Sequence, residues 1–214
     1  MSDGSLKFPD GFLWGAATSH FQVEGHPKEI ASRLSDWALW TNEAGRISDS
    51  TSADQACQFY QRYEDDIILM RDMNLNAFRL SFNWPALLQD PPGTRVAPSL
   101  LDQKQVDYYR RILTSLKESG VTTFATLFHF TLPDWLAAAG GWTTAYAVSE
   151  FKRFSELIVA EFSDLGVNGA AKLNSFTHSL FVEDRQSAGL SCTDFGNVSI
   201  GLVAEAVRSA AEQL

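Results

Sequence analysis

The feature that most constrains the fold is the regular alternation of short apolar segments with amphipathic helical segments along the chain. Strands are predicted at residues 13–17, 76–82, 121–128 and 170–176. Helices are predicted at residues 52–73, 102–119, 147–162 and 200–214. Strands that alternate with helices favour parallel pairing through right-handed crossovers. The sequence therefore predicts an α/β fold of about four strand–helix units.

Residues at the ends of these segments support the assignment. Ser52 is the predicted N-cap of the first helix. Gly120 is the predicted C′ residue of the second helix, a position that favours left-handed backbone. Between the first strand and the first helix, residues 26–50 are polar and are predicted to form a long loop. A second irregular loop is predicted at residues 177–197, within one domain that comprises residues 1–214.

Four strand–helix units amount to half of a TIM-type (β/α) barrel, which takes about 250 residues. The chain of 214 residues is expected to stop near the midpoint of such a barrel. A half barrel has two open parallel edges, and open edges tend to pair with other strands. We expect the chain to form a homo-oligomer or to associate with a complementing barrel half.

Composition excludes several classes of function. The net charge of −9 argues against binding to the phosphate backbone of a nucleic acid, which requires clustered Lys and Arg. Cys57 and Cys192 follow no metal-ligand spacing, and the motifs for a P-loop, a dinucleotide or an EF-hand are absent. We predict no metal and no cofactor. No apolar run approaches 18 residues, so the sequence predicts a soluble cytoplasmic protein that does not bind membranes.

Four segments carry motifs that recur in one enzyme family. They are FPDGFLWGAATSHFQVEG at residues 8–25, DQACQFYQRYEDDIILMRDMNLNAFRLSFNWP at 54–85, TLFHFTLPDWLAAAGGW at 126–142 and FKRFSELIVAEFSD at 151–164. Together they resemble the N-terminal half of the family 1 glycoside hydrolases, which are retaining enzymes of the β-glucosidase and β-galactosidase type. The resemblance implies a TIM-type barrel and a β-linked sugar as the ligand.

The resemblance places neither catalytic carboxylate in this chain. Retaining glycosidases use two carboxyl groups about 5–5.5 Å apart. In the family, the acid/base Glu lies in an Asn-Glu-Pro motif, and here either Asn174 or Ser175 stands at its position. The nucleophile of the family is expected beyond residue 214. Glu183 and Asp184 follow the altered motif and are alternative carboxylates, although a charged pair in a polar loop is more often merely solvated.

The residues that hold the sugar are better preserved. Gln22 resembles the family residue that binds the sugar hydroxyls, and its amide suits vicinal diols because it donates and accepts hydrogen bonds. His129 resembles the histidine that binds the same ring, and Phe130 replaces a tryptophan, so that an apolar wall remains without the indole N–H. Asn174 is the remaining candidate contact if it corresponds to the Asn of the motif.

Three further residues have predicted supporting roles. Arg79 resembles the arginine that supports the nucleophile, and here it is expected either to pair with Glu24 or to remain solvated. Trp84 and Trp142 are predicted to pack in the core, with a secondary role for Trp84 at the floor of the site.

Three hypotheses follow for the whole chain. The first is a retaining β-glycosidase that recruits carboxylates from residues such as Glu183 or from another subunit. The second is a non-catalytic sugar-binding relative that acts through Gln22 and His129. The third is a structural half barrel that self-assembles. The loss of Glu from the motif in an otherwise well-preserved sequence favours the second hypothesis.

Overall fold

The fold is an incomplete barrel built on a parallel sheet. A computed structural model describes residues 7–25, 35–88 and 101–165. Its strands are β1 (Gly15–Ala17), β2 (Ala77–Ser81) and β3 (Thr122–Thr126), which pair in parallel in the order β1-β2-β3. The predicted order and parallel pairing are confirmed. The predicted fourth strand (170–176), the loop at 177–197 and the fourth helix (200–214) lie outside the described residues.

Seven α-helices occur in the described ranges, and three of them are long. They are α1 (His20–Val23), α2 (Asp36–Thr41), α3 (Phe59–Asp72), α4 (Trp84–Leu87), α5 (Gln103–Glu118), α6 (Asp134–Ala138) and α7 (Ala145–Phe162). One-turn 3₁₀ helices occupy Gly141–Thr143 and Ser163–Leu165. The long helices α3, α5 and α7 each follow one strand, as the strand–helix repeat predicts. Within the described ranges, no helix is long and apolar enough to cross a bilayer.

The first long helix begins later than predicted. Helix α3 starts at Phe59, and Ser52 does not cap it. The backbone angle φ is positive at Ala56 (41°) and at Gln58 (58°), so a right-handed helix cannot run through these residues. The Ser52 hydroxyl instead accepts a hydrogen bond from the Asp54 N–H at 3.1 Å, which closes a local turn.

The stretch predicted as a loop at residues 26–50 contains one short helix. Helix α2 occupies Asp36–Thr41, and the Ser35 hydroxyl caps it by accepting from the Ala38 N–H at 3.1 Å. Residues 42–50 form turns, whereas residues 26–34 lie outside the described part of the chain. The loop prediction is therefore corrected at α2. A helix of only six residues is too short to show a helical period in the sequence.

The second long helix ends as the sequence predicts. Gly120 has a left-handed φ of 70°. Its N–H bonds to the Lys117 carbonyl at 3.1 Å, and the Val121 N–H bonds to the Leu116 carbonyl at 2.9 Å. This pair of bonds is the Schellman motif. It turns the chain from α5 directly into β3 and so fixes where β3 begins.

The core lies between one face of the sheet and the long helices. Phe78 and Leu80 of β2 are buried there, together with apolar residues of α3, α5 and α7. Trp84 is 1% exposed and stacks on Phe154 with ring centroids 5.0 Å apart. Trp142 is also buried in this cluster. The predicted packing role of both tryptophans is confirmed.

The outer strand β1 is exposed, in contrast to the buried strand β2. Every residue from 7 to 17 is exposed, including three aromatic residues that form a surface cluster, Phe8, Phe12 and Trp14. Asn76 fixes this segment to the sheet, since its side chain accepts from the Trp14 N–H at 2.7 Å and donates to the Phe12 carbonyl at 3.1 Å. Asn76 therefore holds the backbone of the N-terminal segment, while the residues of that segment remain exposed to solvent.

Candidate functional site

The carboxyl ends of the three parallel strands meet at one edge of the sheet, where ligands bind in barrels of this architecture. Gln22 lies on α1, five residues after β1, and is exposed. Arg79 lies on β2 opposite Ala17 of β1, and His129 lies three residues after β3. The structure therefore places the predicted residues Gln22, Arg79 and His129 at the same edge.

A buried histidine, His20, which the sequence motifs do not single out, connects the end of β2 with the segments that follow β1 and β3. The His20 backbone N–H donates to Ser81 Oγ at 2.8 Å, and His20 Nδ1 lies 3.1 Å from the same oxygen. His20 Nε2 lies 2.6 Å from Thr131 Oγ1. His20 is two residues before Gln22, and Thr131 is two residues after His129. The hydrogen bonds of His20 thus hold the two predicted sugar-binding residues in a fixed relation.

His129 is buried but has an unused hydrogen-bonding group. Its side chain is 9% exposed, and Nδ1 has no hydrogen-bond partner among the described residues. Burial lowers the pKa of the imidazole, and the nearby Arg79 cation lowers it further. The ring is therefore neutral near pH 7, with one nitrogen that donates and one that accepts. Such a ring can exchange hydrogen bonds with a sugar hydroxyl.

The predicted pairing of Arg79 with Glu24 is wrong. Glu24 is buried and accepts hydrogen bonds from the Tyr109 hydroxyl at 2.8 Å and the Tyr108 hydroxyl at 3.5 Å, both on α5. Burial raises the pKa of Glu24 to about 7, against the opposing effect of these hydroxyl donors. The carboxyl group is turned towards the helices because α5 supplies the donors there.

The alternative prediction, that Arg79 remains solvated, is also wrong. Its side chain is half-buried, and Nε is buried without a hydrogen-bond partner in the described part of the chain. The same part of the chain contains no ion pair of Arg79. A buried guanidinium N–H without an acceptor is costly, so this group favours an anionic or carbonyl partner at the site.

Phe130 belongs to a row of aromatic rings beside His129. The ring centroids of Trp37 and Phe21 are 5.7 Å apart, and those of Trp37 and Phe130 are 5.6 Å apart. The Phe130 ring lies 5.0 Å from the His129 ring. We name the three residues Phe21, Trp37 and Phe130 the aromatic shelf. The predicted apolar wall at Phe130 is thus extended by Phe21 and Trp37, which the sequence motifs do not assign to the site.

Helix α2 is fixed to the loop that carries Phe130. Asp36 Oδ1 accepts from the Leu132 N–H at 2.8 Å, and the Asp36 N–H donates to the Leu132 carbonyl at 3.1 Å. Ser35 forms an isolated antiparallel bridge with Pro133. Burial raises the pKa of Asp36 to about 6, although the N–H groups that it accepts from oppose this change. These contacts set the position of Trp37 relative to Phe130.

Several predicted site residues are not placed at this edge. Asn174, Ser175, Glu183 and Asp184 lie outside the described residues. Trp84 is enclosed by the core between Phe128 and Phe154, which favours packing over ligand contact at the floor of the site. The described ranges contain no cluster of three or more His, Cys, Asp or Glu side chains that could hold a metal ion.

Comparison with known proteins gives consistent matches. The sequence model of glycosyl hydrolase family 1 matches residues 5–177. β-Glucosidase A of Thermotoga maritima is 35% identical over 158 residues, which cover 74% of this chain and 34% of that protein. The cytosolic β-glucosidase of Homo sapiens is 32% identical over 181 residues, which cover 82% of this chain and 38% of that protein. The chain thus spans about a third of the length of these relatives.

Solved structures agree with the sequence matches. The family 1 β-glucosidase of Thermotoga maritima superposes with a TM-score of 0.67 at 34% identity, over 74% of this chain and 34% of that one. Its complex with deoxynojirimycin gives the same values. The partial parallel sheet described above therefore corresponds to part of a TIM-barrel β-glucosidase.

Proposed function

Because this chain belongs to glycosyl hydrolase family 1, we propose that it binds β-linked glucosides at the carboxyl edge of its sheet. Gln22 and His129 would hold the hydroxyl groups of the sugar. The observation that supports this most is the buried His129 Nδ1, which has no partner in the described part of the chain. A polar atom in that state gains a hydrogen bond from a ligand without losing one to the protein.

The two side chains have complementary hydrogen-bonding properties. The exposed Gln22 amide donates to one hydroxyl and accepts from its neighbour, and the neutral His129 ring does the same with its two nitrogens. A net gain of about 1 kcal/mol for each hydrogen bond is typical, so a few such bonds give a dissociation constant on the order of 1 mM. We therefore expect weak and readily reversible binding.

The test is a titration of the purified chain with methyl β-D-glucopyranoside, followed by NMR. Gln22→Ala and His129→Ala should each weaken the affinity about fivefold or more. Gln61→Ala is the matched control, since Gln61 is an exposed glutamine on α3, far along the chain from the motif. The proposal fails if the chain does not bind the glucoside, or if Gln22→Ala and Gln61→Ala bind it equally well.

Hydrolysis is the second candidate function, and the unpartnered Arg79 Nε favours it. A buried arginine at this edge suits a carboxylate, and a retaining mechanism needs two carboxylates about 5–5.5 Å apart. Neither Asn174 nor Ser175 has a pKa suited to protonating a leaving group. Glu183 and Asp184 are the carboxylates of this chain that remain as candidates, and another subunit is the alternative source.

Two measurements separate binding from hydrolysis. Release of the aryl group from aryl β-glucosides and β-galactosides should be absent if the chain only binds sugar. If it hydrolyses them, Glu183→Gln or Asp184→Asn should remove the activity. Deoxynojirimycin is a basic amine, so it should bind more tightly than the neutral glucoside only where carboxylates face the sugar ring.

We also propose that the chain assembles with another polypeptide, either a second copy or a complementing barrel half. The exposed strand β1 and the aromatic cluster of Phe8, Phe12 and Trp14 support this, because open edges and exposed apolar patches are typical of interfaces. A cytoplasmic location is proposed by analogy with the cytosolic human relative. Fractionation of cells that express the tagged chain tests the location.

A further inference from the structure

The aromatic shelf presents an apolar surface next to a polar group that is free to bind. Trp37 is 36% exposed, and its ring centroid lies 5.7 Å from that of Phe21 and 5.6 Å from that of Phe130. The neighbouring His129 is buried with Nδ1 unpartnered among the described residues. Aromatic rings beside a few convergent polar atoms are typical of small-molecule sites.

The shelf is held in place by contacts that do not involve its own rings. Asp36 bonds to both the N–H and the carbonyl of Leu132, which anchors Trp37 to the loop after β3. Phe130 has a left-handed φ of 71°, a conformation that is unfavourable for a residue with a side chain. Strained backbone of this kind clusters at ligand sites. Both features keep the rings beside His129 without a ligand, so the surface is preorganised.

We propose that Trp37, supported by Phe21 and Phe130, is a stacking subsite for the apolar face of a pyranose ring. In a β-glucopyranose the axial hydrogens H1, H3 and H5 lie on one face and form an apolar surface. That face packs on the Trp37 ring while hydroxyls at the rim of the sugar reach Gln22 and His129. The subsite rests on the proposed sugar binding and adds the residue that selects a flat pyranose face.

A matched pair of tryptophans on α2 makes the proposal testable. Trp40 lies on the same helix and is 48% exposed, but its ring contacts the Arg46 guanidinium at 5.3 Å. Trp37→Leu keeps an apolar side chain and removes the aromatic ring, whereas Trp37→Phe keeps a ring. The control is Trp40→Leu, which removes the same chemical group from the other position.

The measurement is saturation-transfer NMR with methyl β-D-glucopyranoside, combined with affinity titration. We expect stronger transfer from the aromatic protons to H1, H3 and H5 than to H2 and H4. Trp37→Leu should remove this preference and weaken the affinity about fivefold, which is the size of one aromatic contact. Trp37→Phe and Trp40→Leu should stay within about twofold of the unaltered chain.

The possible failures are distinguishable. If the unaltered chain binds no glucoside, or if Gln22→Ala binds the glucoside as tightly as the unaltered chain, both the proposed function and the stacking subsite fail. If Gln22→Ala weakens binding but Trp37→Leu and Trp40→Leu behave alike, the sugar site stands and the stacking subsite is refuted. Equal transfer to all ring protons in the unaltered chain refutes it as well. Thermal unfolding identifies a variant that has lost its fold, and the transfer pattern of the unaltered chain then decides alone.

Discussion

Replacement of Glu24 by Gln should change how the stability of the chain depends on pH. Glu24 is 3% exposed, and its carboxyl group accepts the Tyr109 hydroxyl at 2.8 Å while Oε2 has no partner in the described part of the chain. Two hydroxyl donors do not compensate for removing a carboxylate from water, so burial raises its pKa from 4.5 to about 7. The folded chain therefore holds a proton on Glu24 at pH values where the unfolded chain has released it.

The sign and size of the effect follow from this difference. Below pH 4.5 both states are protonated at Glu24, and its stabilising contribution is fully present. As pH rises from 4.5 through 7, the unfolded state binds fewer protons than the folded state and stability falls. At about 1.4 kcal/mol per pKa unit, the total loss approaches about 3 kcal/mol above pH 8. The amide in Glu24→Gln does not ionise, so the variant should escape this loss.

The assay is urea unfolding of both proteins between pH 4.5 and 8.5. The difference in unfolding free energy, variant minus parent, should rise by about 3 kcal/mol across that range. Asp36 and His129 also titrate, but they are present in both proteins and cancel in the difference. Glu118→Gln removes an exposed carboxyl from the helix that carries the tyrosines and controls for the change in net charge. A difference that stays flat across the range would refute the reasoning.

Three further predictions concern the pairing of β1 with β2, the hydrogen bonds of His20 and the exposed N-terminal segment. Gly15→Ala should lower the free energy of unfolding in urea by about 1–3 kcal/mol, because an added Cβ would lie 2.6 Å from the Ala77 carbonyl oxygen. A decrease of less than about 0.5 kcal/mol would contradict the close approach of β1 and β2. His20→Leu should lower the free energy of unfolding by about 1–3 kcal/mol, because it leaves the hydroxyls of Ser81 and Thr131 without their His20 partner. An unchanged melting temperature would argue against this hydrogen-bond network. Phe12→Ser with Trp14→Ser should shift the mass measured by light scattering towards the monomer.

The last of these needs a control for a general loss of hydrophobicity. Leu69 and Met73 are more exposed than the two aromatic residues, and they lie in the last turn and at the C-cap of α3, outside the N-terminal segment. Leu69→Ser with Met73→Ser should leave the mass unchanged. If the parent is already a monomer at all concentrations, or if both double variants dissociate equally, the exposed N-terminal face is not the interface.

Local sequence signals were sufficient for the elements that depend on short-range contacts. The alternation at residues 76–82 predicts β2, and Gly120 predicts the end of α5, because both signals arise from neighbouring residues in the chain. The positions of Gln22 and His129 at one edge follow from the parallel order of strands whose carboxyl ends converge. The parallel strand order therefore brings the residues of these two motifs to one edge of the sheet.

Contacts between distant residues account for what the sequence did not reveal. His20 reaches Ser81 and Thr131, which lie 61 and 111 residues away, and no local pattern reports such a pair. Glu24 bonds to tyrosines 84 and 85 residues further along, which is why the predicted pairing with Arg79 was wrong. The aromatic shelf likewise combines rings from three separate segments of the chain.

The most direct test of the sugar site observes His129 itself. The chain is labelled with ¹⁵N-histidine, and the Nδ1 and Nε2 resonances of His129 are assigned with the His129→Gln variant. During titration with methyl β-D-glucopyranoside, we predict that Nδ1 of a neutral ring shifts in a saturable way, and that Gln22→Ala weakens the response. The glucoside is raised to tens of millimolar, well above a dissociation constant of about 1 mM. If the Nδ1 resonance does not move over this range, the proposal that this edge of the sheet binds sugar is contradicted.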